Sequence, residues 1–126
     1  MGKLQHRPLF WGGLVFLWAA ALWWLSSRVL PPAGPSFEHS DKLKHLLYFT
    51  AGSYCAARFL LLQRPEWKAA AVTLLAIAFA LAVGVSDEVH QSFTPGRTGN
   101  DLGDILADTA GGWLGAFWAL RSRRAR

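Results

Sequence analysis

The chain carries a single cysteine, Cys55, so no internal disulfide can staple it. Cys55 sits in an apolar run, where a buried small hydrophobe is the expected role. There is no Gly-rich phosphate loop, no Cys/His spacing diagnostic of zinc and no internal repeat of clear period. Charge is also scarce: only 17% of the 126 residues are Asp, Glu, Lys or Arg, against 52% hydrophobic. An ordinary soluble domain is not expected to be this apolar, and a bilayer is the expected solvent. The net charge of +5 does not point to nucleic acid, because the cations are scattered between apolar segments or bunched at Arg121, Arg123, Arg124 and Arg126.

What is present is length and apolarity in the right units. A hydrocarbon layer of roughly 30 Å needs about 20 helical residues. Four stretches qualify as spans: about 8–30, 41–63, 67–92 and 101–120. Seven Trp and eight Phe suit membrane interfaces and helix packing. The first stretch follows Lys3 and Arg7 and so resembles a signal-peptide start. Bulky Trp23, Trp24 and Leu25 stand where a cleavage site would need small residues, which favours a retained anchor. Pro31 to Pro35 stop this helix. Ser40 or Asp41 is expected to cap the second, Arg58 to snorkel from its far end, and Asn100 or Asp101 to cap the fourth. Thr94-Pro95-Gly96-Arg97 reads as a tight turn.

The expected fold is thus all-α: one membrane domain over 1–126, a four-helix up-and-down bundle in the cell membrane. Nine of the thirteen Lys and Arg residues fall on the side of the two termini, so by the positive-inside rule both termini are expected to be cytoplasmic. Of the acids, only Glu66 lies on that side; Glu38, Asp41, Asp87, Glu88, Asp101, Asp104 and Asp108 gather at the other.

Helical spacing gives this cluster a shape. Asp41, His45 and Tyr48 form one stripe on the second helix, Asp87 and Gln91 another on the third with Glu88 beside them, and Asp104 and Asp108 a third on the fourth. The last stripe continues into Gly111 and Gly115, whose small size lets helices approach closely, so it is expected to face the bundle. Asp108 lies about 10 Å along the axis from Asp101, deep enough that its charge must be protonated, paired or hydrated. Arg97, His45 and Lys44 are the candidate cationic partners, whereas Glu38, His39 and Lys42 read as solvated loop charges. His90 points off the Asp87–Gln91 stripe, and the first helix is expected to contribute little.

The segments S-D-K-L-K-H-x-x-Y (Ser40 to Tyr48), D-E-V-H-Q-S-F-T-P-G-R-T (Asp87 to Thr98) and D-I-L-A-D-T-A-G-G-W-L-G (Asp104 to Gly115) resemble, in order, the VanZ-like family of membrane proteins. The resemblance covers the chain from about Ser40 to the end. It implies that Asp41, His45, Tyr48, Asp87, Glu88, Gln91, Arg97 and Asp104 are signature positions, and Asp108 departs from it, since many relatives carry Asn there. The family's name-giving member is associated with low-level teicoplanin resistance.

The functional expectation is a cell-envelope protein whose non-cytoplasmic polar site binds or modifies an amphiphilic lipid, cell-wall intermediate or glycopeptide. Arg97, Gln91, Tyr48, Asp41, Asp104 and Asp108 are the candidate ligand-binding residues. Glu88, Asp87 and His45 are the candidate acid, base and proton shuttle if a reaction occurs. Adjacent Asp87 and Glu88 splay by about 100° on a helix, which weighs against a shared catalytic role. Membrane lipids are expected partners; no cofactor and no nucleic acid are expected. His45, Asp87, Glu88 and Asp104 are suitable metal-ligand types, but their spacing matches no metal motif. The alternative is a non-catalytic interaction or accessory protein whose polar cluster is structural. A proton pathway is disfavoured, because no ionisable residue is found deep in the second or third span.

Overall fold

The computed structural model describes residues 4–29 and 39–124. Lys3, Pro31 to Pro35, Glu38 and Arg126 lie outside them. A short 3-10 turn, Leu4–His6, precedes four helices: α1 (Pro8–Ser26), α2 (Ser40–Gln63), α3 (Ala69–Ser92) and α4 (Leu102–Arg124). α1 and α3 are long and apolar enough to cross a membrane; α2 and α4 carry more charge and do not meet that measure.

Local chemistry sets the helix ends. Pro8 occupies the first turn of α1, where its missing N–H is not needed. α1 closes at Ser26, four residues short of the expected end, with the Ser27 N–H and hydroxyl both donating to the Trp23 carbonyl. α2 departs from expectation at its start. The cap position is His39, in the left-handed region at φ 64° and without a side-chain cap bond, while Ser40 and Asp41 are already helical. Arg64 donates its N–H to Leu60 O, and Pro65 then prevents a further turn. Thr94 to Arg97 close as a turn, with the Arg97 N–H on Thr94 O, Pro95 at its first central position and Gly96 at φ 80° at the second. α4 is capped by Asp101, whose Oδ1 accepts the N–H groups of Gly103 and Asp104.

The tightest pairing joins α2 and α4, which run in the same direction: Lys42 meets Asp104, His45 meets Asp108 and Arg58 meets Ser122. Gly111 and Gly115 make this possible, each lying directly against α2 backbone at Leu46, Thr50 and Tyr54. On its other side α4 seats Gly112 against Ala76, Ile77 and Ala80 of α3. A small-residue core of Ala57, Leu61, Val72, Ala76, Ala116 and Ala119 fills the junction of α2, α3 and α4. α1 lies outside this trio, docked by Trp18, which covers Gly52 and exchanges bonds with Tyr48. Leu9, Phe16, Leu17, Trp23 and Trp24 of α1 remain exposed, as do Leu74, Leu81, Leu102, Leu106, Trp113 and Trp118 on the other helices.

Arg58 does not snorkel. It is buried, with Nη1 3.3 Å from the Ser122 hydroxyl and its guanidinium 5.3 Å from the centre of the Trp11 ring. The Gly115 approach that draws α4 onto α2 encloses it.

Candidate functional site

The end of the bundle formed by the start of α2, the end of α3 and the start of α4 gathers most of the ionisable side chains. Its rim is built on Lys42, whose Nζ lies 3.2 Å from Asp41, 2.9 Å from Asp101 and 3.0 Å from Asp104. Lys42 is therefore a hub and not the solvated loop charge the sequence suggested; one helical turn places it beside the α4 cap. The Lys42 ammonium, with the Gly103 N–H, holds the Asp101 carboxyl below the usual carboxylate range.

Below this rim His45 enters between α2 and α4. Its Nδ1 is 2.9 Å from Asp108 Oδ1, and its Nε2 is 3.5 Å from Asp104 Oδ2. Asp108 is fully buried, and Gly84 of α3 leaves the space its carboxyl occupies: a Cβ there would stand 2.6 Å from Oδ2. Thus the helical stripe of Asp104 and Asp108 does face inward, and His45 is the partner of the deep acid. Glu88 approaches from α3, almost fully buried, with Oε2 accepting the Asp101 N–H at 2.8 Å. Glu88 Oε1 and Asp108 Oδ2 are buried without a hydrogen-bond partner. One donor atom each from His45, Glu88 and Asp104 lies within 4.8 Å of the others.

A second chain of bonds runs along the α1–α3 side. Ser26 donates to Asp87 Oδ1, the Gln91 amide donates to Asp87 Oδ2 at 2.7 Å, and Arg97 Nη2 donates to Gln91 Oε1 at 2.7 Å. Arg97 Nη1 reaches the Arg28 carbonyl at 3.2 Å, and the Thr94 hydroxyl reaches Ser26 O. Two expectations change here. α1 does contribute, through Ser26 and the Arg28 carbonyl, and Arg97 meets neutral acceptors in place of carboxylates. Both oxygens of Asp87 are occupied, which separates it from Glu88 in role as well as in direction.

Not every candidate joins the cluster. The Tyr48 hydroxyl donates to Trp18 O at 2.8 Å, and its ring stacks on Trp18. Asp41 stays at the exposed rim, 3.2 Å from Lys42 Nζ and with a carboxylate oxygen within 4.8 Å of one from Asp101 and one from Asp104. His90 stacks on Trp23 at 3.7 Å between ring centres, with Ser27 Oγ 3.4 Å from Nε2. Sequence reasoning missed Ser26, Lys42 and Gly84. Lys42 could have been read from its spacing, because it stands three residues before His45 and shares the α4-facing side.

Comparison with curated proteins and with solved structures returns no match. A VanZ/LLP1 family model matches residues 10–123, which takes in α1 beyond the segment that carried the sequence resemblance. Nearly the whole chain is covered, and the protein belongs to the VanZ/LLP1 family.

Proposed function

We propose that this chain is a multi-pass cell-membrane protein whose four helices form an up-and-down bundle with both termini in the cytoplasm. At its non-cytoplasmic end it binds the anionic head group of an amphiphilic envelope lipid or cell-wall intermediate. The observation that carries the head-group reading is Arg97. Among the described residues it is held by two neutral acceptors, Gln91 Oε1 and the Arg28 carbonyl, so its charge is oriented without being neutralised. A guanidinium fixed in this way is suited to bidentate contact with phosphate or carboxylate. Membrane insertion is supported by the exposed Leu, Phe and Trp side chains on all four helices, by two helices of spanning length and by family membership. Teicoplanin is a lipid-bearing glycopeptide that itself binds cell-wall intermediates outside the membrane, so it would meet the proposed ligand on this side and altered glycopeptide susceptibility is an expected phenotype.

A second reading, a structural network in an accessory protein, has its own support: Lys42 ties three acids together, and Asp87 is saturated by Ser26 and Gln91. Arg97→Gln separates the two. Head-group binding predicts lost function in a glycopeptide-susceptibility or envelope-stress assay with membrane abundance and melting temperature near wild type. Loss of the protein from the membrane, or much earlier melting, would instead favour the structural network. For topology, a cysteine at exposed Thr98 should react with an impermeant maleimide on intact cells, and reaction only after permeabilisation would invert the bundle.

A further inference from the structure

We infer that His45, Glu88 and Asp104 form a binding site for one divalent transition-metal ion of the zinc type, with Asp108 as the outer carboxylate that orients the imidazole. Each of the three has one donor atom committed elsewhere and one left over. Asp104 gives Oδ1 to Lys42 and keeps Oδ2; Glu88 gives Oε2 to the Asp101 N–H and keeps Oε1; His45 gives Nδ1 to Asp108 and keeps Nε2. The 3.5 Å between His45 Nε2 and Asp104 Oδ2 is long for a hydrogen bond. It is close to the ~3.3 Å that separates two ligands about 2.0–2.1 Å from a tetrahedral zinc ion.

Glu88 supplies the independent sign of a ligand. It is 1% exposed, and its Oε1 has no hydrogen-bond partner, a costly arrangement for a buried carboxylate oxygen unless something occupies that side. One donor atom from each of the three residues lies within 4.8 Å of the others, so modest side-chain closure would bring them onto one ion.

The His45–Asp108 contact completes the pattern. A carboxylate on Nδ1 fixes the tautomer whose Nε2 lone pair is free, the usual outer arrangement around a metal-bound histidine. Charge agrees as well. Asp104, Asp108 and Glu88 surround one imidazole, and the adjacent Lys42 is shared among three acids, so a dication relieves crowded negative charge. Imidazole with carboxylates selects zinc-like ions over calcium or magnesium, and three protein ligands leave a coordination position for water or an anionic oxygen. The metal site is independent of head-group binding by Arg97 and is tested with metal alone.

The full chain, purified in detergent without chelator, stripped and titrated with Zn2+ against a chromophoric competitor, should take up one equivalent. Glu88→Gln and His45→Gln should each weaken binding on the order of a hundredfold or more, and Asp108→Asn, which keeps an acceptor for Nδ1, by about tenfold. Lys42→Gln should keep the stoichiometry of one. Uptake below about a tenth of an equivalent by monodisperse wild type would overturn the site, as would unchanged affinity in both Glu88→Gln and His45→Gln. Should those variants fail to fold, the wild type loaded with Co2+ decides: a visible spectrum shifted from that of the aqueous ion supports the site, and an unshifted one refutes it.

Discussion

Gly115→Ala isolates the α2–α4 contact that holds the polar end together. A Cβ at this position would stand 2.5 Å from Tyr54 N, 2.7 Å from Thr50 O and 2.8 Å from Ser53 C, all backbone atoms that cannot rotate away. Restoring an ordinary 3.4 Å contact requires the helices to separate by about 0.9 Å at this level. Two effects oppose one another. Alanine is a better helix former than glycine by about 1 kcal/mol, and overpacking of a close-packed contact costs about 1–3 kcal/mol. The clash is with three backbone atoms of α2, so the cost should fall in the upper part of that range, for a net destabilisation of about 1–2 kcal/mol. Gly13→Ala is the matched control. It lies in α1, where an added methyl would meet nothing within 4 Å, so only the propensity term acts and the variant should be up to about 1 kcal/mol more stable than wild type. Thermal unfolding of both variants in one detergent reads the two signs. If Gly115→Ala melts at or above wild type, the proximity of α2 and α4 is not what the fold depends on. The separation should also propagate: His45 and Asp108 span the same interface at 2.9 Å, and a shift approaching 1 Å breaks that bond.

Tyr48→Phe removes the hydroxyl that donates to Trp18 O but leaves the stacked ring, so it should cost about 1 kcal/mol in stability and leave metal affinity unchanged; a large loss of metal binding would return Tyr48 to the site. Asp101→Ala should melt a few degrees earlier, on the order expected for a lost helix cap, with Asp101→Ser recovering most of it. Because the folded Asp101 carboxyl titrates below its unfolded value, its stabilising effect is fully present above the ordinary carboxylate range and is lost as pH falls through the folded value. Acid unfolding of Asp101→Asn should accordingly be less steep than that of wild type. Arg58→Lys gives up the planar guanidinium beside Trp11 and the bond to Ser122, and should lower stability by about 1–2 kcal/mol; an unchanged melting temperature would show that any cation suffices there.

The four helices were legible because each is a long run, apolar throughout in α1 and most of α3 and in part in α2 and α4, bounded by something local: Pro8 at one start, Arg64-Pro65 at one end, the Thr94–Arg97 turn, Asp101 at the last cap. The α2 start was not, because Ser40 and Asp41 have the chemistry of caps and the backbone reverses one residue earlier, at His39. Within the site, residues placed by helical stripe came together as far as the stripe alone decides: Asp104 with Asp108, Asp87 with Gln91. What periodicity could not supply was the identity of the facing helix. Ser26 belongs to a uniformly apolar helix with no polar stripe to mark it, and Tyr48 shares a stripe with His45 yet is long enough to reach α1. Lys42 reads as a solvated loop charge from its place near the helix start; its spacing from His45 marks the α4-facing side, and the α4 cap beside it makes it a hub.

The two ends of the bundle treat buried charge in different ways. Near the start of α4, cationic, acidic and neutral polar groups interlock, but the closure is incomplete: Glu88 and Asp108 each retain a buried oxygen without a partner. Near the end of α4, the buried cation Arg58 is covered by an indole ring and one hydroxyl, with its Nε left without a hydrogen-bond partner and no acid among the described residues within ion-pair distance. An aromatic face can cover a guanidinium whose weak hydration makes burial tolerable. Carboxylate oxygens have no comparable apolar cover and need a proton, a water or a cation. The buried carboxylate oxygens without a partner thus lie at the Glu88 and Asp108 end, and a single bound dication would relieve the crowding of Asp104, Asp108 and Glu88 while leaving Arg97 free to meet an anion.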